Sequence, residues 1–405
     1  MFSKKEFRAN LFGPNFAYLE EWDKYLFPKL QPKYKFAIIG CGMIGMEHMR
    51  VTLLEGRATI HGIYDKSKKS LNAANAVFKE LTNNESLTIY SSLEEACNDP
   101  ELDGLIISTP NFTHAEVLET ASQSGKHILL EKPMATTIED AYKIYKIAEK
   151  HDAVFQIGLQ YRYKAIYKEA YEEVIRRKAI GDVKTITIME HRLPFLDKVD
   201  QWNKFSCYSG GTLVEKCCHY FDLFNYFAEA KPVSVWASGS ISVNYHDFEY
   251  KGAKSDILDN AFVHVKYENG ISAQFNLCMF APMFYEEIVL CGDEGRVKAY
   301  EMEDFLPGKR LKTGLEVRTS GETPPKDSQP HYPDMIETSG HNGSTFFEHY
   351  NLIENMEGKK TETATVKEGF WSIVVGEAAE LSIKRGGAVN IAELLTEKGI
   401  NEKDL

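Results

Sequence analysis

The sequence predicts an α/β protein: an N-terminal Rossmann unit, a doubly wound parallel sheet, joined to a C-terminal α+β domain with a large, mostly antiparallel open sheet. Three observations carry this. Apolar runs alternate with helical segments from Lys35 to Gly158, the pattern of parallel strands with right-handed crossovers. The first run, Lys35 to Ile39, leads into Gly40-Cys41-Gly42-Met43-Ile44-Gly45, a G-x-G-x-x-G turn that opens a helix. From Val233 to Tyr300, strands follow one another with turn residues between them, Asn269-Gly270 being the clearest hairpin.

Each part of the first stretch has a physical task. Gly40 permits the tight turn, Gly42 lets a pyrophosphate approach the backbone, and Gly45 lets helix and sheet pack closely. The helix start, with Met43 and Ile44, presents free N–H groups to phosphate. Ala58 to Tyr64 forms the second strand, and Asp65 follows 20 residues beyond Gly45. An acid there suits adenosine ribose hydroxyls and repels a 2′-phosphate. NAD is therefore expected before NADP, although Lys66, Lys68 and Lys69 could pair with that phosphate.

The remaining elements follow in order. Helix Ser70 to Leu81, strand Leu87 to Tyr90 and short helix Ser92 to Asn98 precede the buried strand Gly104 to Ser108. Thr113 to Ser124 reads as a helix closed by Gly125, and His127 to Leu130 as a strand delivering Glu131-Lys132-Pro133. Thr136 and Glu139 have capping-box spacing for a helix to about His151. Val154 to Gly158 leads into Gln160-Tyr161-Arg162-Tyr163. Lys164 to Arg177 reads as a helix, and the strand from Val183 to Glu190 ends in His191-Arg192. Residues 303–344 read as a long polar loop, and Phe346 to Met356 and Glu368 to Lys384 as helices. The expected domains are 35–156 and 157–390, with an arm at 1–34 and a tail at 391–405. The arm's aromatic residues imply that it packs on its own subunit or a neighbour.

Ligands of such sheets bind at the strands' carboxyl ends. Gly40, Gly42, Met43, Ile44, Gly45, Asp65, Lys66, Ser108, Thr109, Asn111, His114, Glu131, Lys132 and Gln160 gather there as candidate cofactor contacts. A second constellation runs from Tyr208 to Asp222. Taken as one helix from Thr212, at about 100° per residue, it places Glu215, His219 and Asp222 within about 60° of one another. A titratable stripe on an otherwise apolar helix fits a cleft between domains, since burying unpaired charge is costly. Gly210-Gly211 before it permits close backbone approach. Tyr161, Arg162, His191, Arg192 and Trp202 join Lys132, Glu215, His219 and Asp222 as candidate substrate contacts.

Composition bounds the function. The 405 residues are 43% hydrophobic and 26% charged, with formal net charge −12, against nucleic acid or an anionic membrane as partner. The cysteine count of seven is odd, so reduced thiols in a cytoplasmic setting are expected. The first 34 residues lack a signal-peptide core, and no apolar run reaches the roughly 18 residues of a membrane span. No metal is expected: adjacent Cys217 and Cys218, beside His219, point to different sides of a helix.

These residues together resemble the Gfo/Idh/MocA family of oxidoreductases, named for glucose–fructose oxidoreductase and inositol dehydrogenase. The resemblance rests on Gly40 to Gly45, Asp65, Glu131-Lys132-Pro133, Gln160 to Tyr163, Gly210-Gly211 with Glu215, His219 and Asp222, and Gly340 to Ser344. It implies oxidation or reduction of a sugar or cyclitol hydroxyl, with Lys132 and His219 as the characteristic pair. It also implies a homodimer or homotetramer formed through the C-terminal sheet. Glu215 stands where the family has aspartate. The expected chemistry has His219 as base and Lys132, with its pKa lowered, bonding the reacting oxygen, or the two with roles exchanged, and Glu215 orienting the imidazole or binding a neighbouring hydroxyl. Two other readings share these residues: a redox glycosidase, which oxidises transiently and cleaves, and a non-catalytic dinucleotide-binding sensor.

Overall fold

Strand β1, Tyr34–Ile39, is buried over its last four residues, as a continuous apolar run in the middle of a parallel sheet must be. In the computed structural model, which describes residues 31–82, 85–303, 311–321 and 324–405, β1 pairs in parallel with two strands. One is β2 (Ala58–Tyr64) and the other lies beyond the next, two-residue strand β3 (Thr88–Ile89): it is β4 (Gly104–Ile107). With β5 (His127–Glu131) and β6 (Phe155–Gly158), the sheet runs in the order β3-β2-β1-β4-β5-β6. The chain reverses its direction of winding between β1 and β4, so the crevice at their carboxyl ends is the place for a ligand.

The second sheet is built from β7 (Val183–His191) and β8 (Pro232–Ser240). After a separate hairpin of β9 (Glu249–Tyr250) and β10 (Ala253–Lys254), it continues with β11 (Asn260–Tyr267), β12 (Ser272–Cys278), β13 (Phe284–Gly292), β14 (Gly295–Glu303), β15 (Lys312–Thr319), β16 (Lys326–Ser328) and β17 (Val389–Asn390). The nine strands lie in the order β16-β15-β14-β13-β7-β12-β11-β8-β17. Only β7 with β12 is parallel; the other pairs are antiparallel. One face packs on helices Cys218–Ala228 and Val366–Arg385. The C-terminal helices also return to the first sheet. Helix Val366–Arg385 packs on Ile138–Ala148, and Ser344–Met356 packs on Met43–Glu55, placing Leu352 and Ile353 in one apolar cluster with Phe36 and Ile38.

Several expectations change. The polar segment 303–344 contributes strand β15, edge strand β16 and a short helix, Asp334–Glu337. Thr137, not Thr136, caps its helix, accepting from the Asp140 N–H. The constellation helix is broken: Thr212–Glu215 and Cys218–Ala228 are separate, with Lys216 and Cys217 between them. The arm at 1–34 lies almost wholly outside the described residues. All seven cysteines are unpaired, and no helix among the described residues is long and apolar enough to cross a membrane.

Candidate active site

The glycine turn is shaped as its sequence requires. Gly40 has φ +99°, and a Cβ there would sit 2.6 Å from the backbone of Ser108 and Thr109. A Cβ on Gly45 would lie 2.2 Å from the Gly40 carbonyl. At Gly42, by contrast, a Cβ would meet nothing within 4 Å, so this stretch of backbone is open to a ligand. Gly42 caps helix Met43–Glu55 without a side-chain hydrogen bond, and no acid stands in the first turn. The helix end therefore keeps free N–H groups and its partial positive charge for phosphate. Asp65 accepts from the Cys41 N–H at 2.7 Å and the Ser67 N–H at 2.6 Å. Each bond uses a different oxygen, and a carboxylate has room for about four, so ribose hydroxyls can still bind. These residues fit a dinucleotide.

Other candidate cofactor contacts have different tasks. Ser108 Oγ donates to the Gly40 carbonyl at 2.8 Å and pins the turn. His114 is buried, with its ring nitrogens 3.0 Å from the Pro133 and Thr109 carbonyls, so it braces two loops instead of reaching the crevice. Glu131 turns away to His48 at 3.0 Å and accepts from its neighbour's N–H. Lys66 is exposed. Asn111 Nδ2 and Gln160 Oε1 are buried without a partner, polar atoms that a bound molecule can satisfy.

Lys132, at the end of β5, is brought to the start of the broken helix. Its Nζ donates to the Glu215 carbonyl at 3.4 Å. Burial pulls the Lys132 pKa down, but the carboxylates, Glu215 first and then Glu131, outweigh it, and the value stands above that of ordinary lysine. The expected lowering is thus corrected: the ammonium keeps its proton. His219 shifts the other way. Burial, then the positive charges of Lys132 and Lys216, hold it well below the usual imidazole range. It is neutral at pH 7, with Lys132 the strongest charge acting on it. Neither ring nitrogen is bonded to the described residues. Nδ1 is fully enclosed, so Nε2 is the nitrogen left open.

The residue that orients His219 is Tyr161. Their rings stack with centroids 3.9 Å apart and planes 8° apart. The Tyr161 hydroxyl accepts from Lys216 Nζ at 2.6 Å, and Lys216 pairs with buried Glu190 at 3.1 Å. Glu215 does not reach the imidazole. Its carboxylate pairs with Lys198 at 3.1 Å and is held at about 2; burial raises it, but Lys198, Lys132 and Arg192 bring it down.

Three further expectations are corrected. Arg162 and Asp222 bind each other through two 2.6 Å bonds at 2% and 1% exposure, and Arg162 also holds Glu368 at 2.7 Å. Both are committed to the protein, not to substrate. His191 follows Ile186, Ile188 and Glu190, which all face inward along β7; strand alternation turns it to the sheet's other face, beside Tyr285. Gly210 and Gly211 make room for protein, since a Cβ on them would strike the Thr136 carbonyl at 2.6 Å and the Glu380 carboxylate at 2.3 Å. Arg192 stays near the site, 3.5 Å from Glu190. Trp202 lies under Lys198, whose Nζ is 4.4 Å from a ring centroid. Lys198, Lys216 and Glu190 were not among the candidates. A lone lysine in a sequence carries no mark of the carboxylate it will meet.

A Rossmann sheet with an open glycine turn, and a lysine–histidine pair at its rim, define a dinucleotide-dependent oxidoreductase. Residues 34–159 match the family described as "Oxidoreductase family, NAD-binding Rossmann fold", and 172–391 match its "C-terminal alpha/beta domain". The chain belongs to this Gfo/Idh/MocA family, and NAD is its cofactor. It is 23% identical over 364 residues to a myo-inositol 2-dehydrogenase of Thermotoga maritima, covering 89% of this chain and 99% of that one. It is 25% identical over 278 residues to the scyllo-inositol 2-dehydrogenase (NAD(+)) of Bacillus subtilis, covering 66% and 74%. Among solved structures, levoglucosan dehydrogenase with NADH and levoglucosan shares the fold at TM-score 0.73 and 18% identity, covering 88% and 99%.

Proposed function

We propose that the protein oxidises a secondary hydroxyl of a sugar, sugar derivative or cyclitol, with His219 as the base and Lys132 as the donor to the reacting oxygen. The observation that carries this reading is geometric: Lys132 reaches from the end of β5 to the Glu215 carbonyl, and His219, stacked on Tyr161, follows it on the broken helix with no bond to the described residues; the opposite displacement of the two pKa values supports it. NAD, bound by Gly40 to Gly45 and Asp65, supplies the hydride acceptor. The chain's own residues handle the proton. Nε2 of His219 takes it from the hydroxyl, and the Lys132 ammonium stabilises the alkoxide as it forms. Tyr161 fixes the plane of the imidazole, and Glu215 holds Lys198 at the rim. The stacked imidazole and the flanking Trp202 suit the apolar CH face of a sugar ring. The names of the relatives support the substrate class, and the nine-stranded sheet supports assembly into a dimer or tetramer through its second face.

The test is a panel of sugars and cyclitols with NAD, followed by reduced-nicotinamide absorbance. The reading predicts net NADH matching the ketone formed with at least one member. Cleavage of a glycoside without net NADH would instead favour the redox glycosidase, and binding without either, the sensor. Asp65→Ser should shift the preference from NAD toward NADP by about 10- to 100-fold, since hydrogen bonds to a charged group contribute about 1.5–3 kcal/mol. Titration of both dinucleotides checks it.

A further inference from the structure

Helix Met43–Glu55 and helix Ser344–Met356 meet at a polar cluster that plays no part in the proton chemistry above. His48, Glu348 and His349 are each fully buried, and one ligand-type atom from each lies within 4.8 Å of the others. The outer nitrogens of both histidines are already assigned. His48 Nε2 lies 3.0 Å from the Glu131 carboxylate, which can only accept. Thr52 Oγ1 lies 2.8 Å from the His48 carbonyl and 3.3 Å from His349 Nδ1; with its one proton on the nearer acceptor, it accepts from Nδ1. In that arrangement both outer nitrogens carry N–H. The inner two, His48 Nδ1 and His349 Nε2, then face each other with lone pairs 2.8 Å apart. Beside them the Glu348 carboxyl group is buried with neither oxygen partnered among the described residues: as an anion it needs a cation, and as an acid it is left with no acceptor for its proton.

We propose that His48 Nδ1, His349 Nε2 and a Glu348 oxygen hold a buried divalent transition-metal ion of the zinc class. A proton shared by the two histidines would relieve their lone pairs but leave Glu348 orphaned; a dication answers all three groups at once. The surroundings match what metal-bound histidines need, each passing its other N–H to an acceptor, Glu131 and Thr52. Zinc–nitrogen distances of about 2.0–2.1 Å seat an ion against this pair with a near-right angle at the metal, and a parting of about 0.5 Å makes it tetrahedral. Two imidazoles and a carboxylate suit zinc, iron, cobalt or manganese. The ion would clamp the C-terminal helix to the nucleotide-binding helix and, through Glu131, fix the strand end that carries Lys132. This inference does not rest on the proposed activity.

The test uses the full chain with zinc and cobalt as probes. Protein refolded from denaturant with Co2+ should show visible d–d absorption without an intense thiolate-to-cobalt band. Protein from zinc-supplemented medium should retain about one zinc per chain by mass spectrometry and melt higher than protein refolded with chelator. Glu348→Gln, nearly isosteric, should lose the bound metal at least tenfold, and its melting temperature should stop responding to metal. Metal-free protein from both preparations overturns the proposal. So does a thiolate band, which places the ion on cysteine, or a folded Glu348→Gln protein that keeps its zinc. If that variant does not fold, the cobalt spectrum of the unmodified chain decides.

Discussion

His219→Ala is expected to lower kcat by about 10²–10⁴, the usual contribution of a positioned general base, while leaving NAD affinity within a few-fold. The imidazole lies at the start of helix Cys218–Ala228, whereas the glycine turn and Asp65 belong to the first sheet. The loss should thus appear in turnover and not in dinucleotide titration. The cavity left beneath Tyr161 will also cost stability, so thermal melting must accompany the kinetics. A protein that melts normally and turns over normally would remove His219 from the chemistry.

The second large effect concerns stability. Asp222→Ala leaves the Arg162 guanidinium buried with Glu368 as its remaining partner. Breaking a buried pair from one side typically costs about 3–5 kcal/mol, and the contact to Glu368 places this case toward the lower end. Denaturant unfolding should show the loss, with KM little changed in protein that remains folded. A selective rise in KM at unchanged stability would return Asp222 to the substrate site, where sequence reasoning first placed it.

That misplacement shows where the sequence stops speaking. The nucleotide-binding sheet was legible because its signals are local: apolar runs, a glycine turn and an acid at fixed spacing describe one continuous unit. Lys132 and His219 could be picked out by motif. Their protonation could not, because it depends on Glu215, Lys216 and Glu131 brought together from separate elements. The break after Glu215 was hidden because neither Gly nor Pro marks it; the run Leu213 to Asp222 reads as one helix. Strand β15 is not legible in the sequence because Lys312, Glu316 and Arg318 make it look like a polar loop; β14 and β16, which pair with it on either side, make it a strand. In the sequence Tyr161 reads as a sugar contact; the stack on His219 adds the task of holding the imidazole, which no local signal announces.

The claim on which the mechanism turns is that a neutral His219 works beside a charged Lys132. Its direct test is the pH dependence of kcat/KM for alcohol oxidation in the unmodified chain and in Lys132→Met. A base must be unprotonated, so activity falls as pH drops through its pKa; with that pKa held below the ordinary 6.5, the profile should stay flat from pH 7 to below 6.5. Removing the Lys132 charge should move the acid limb upward while lowering the plateau. An unmodified profile whose acid limb is centred at or above 6.5, or one that Lys132→Met leaves in place, would contradict the account.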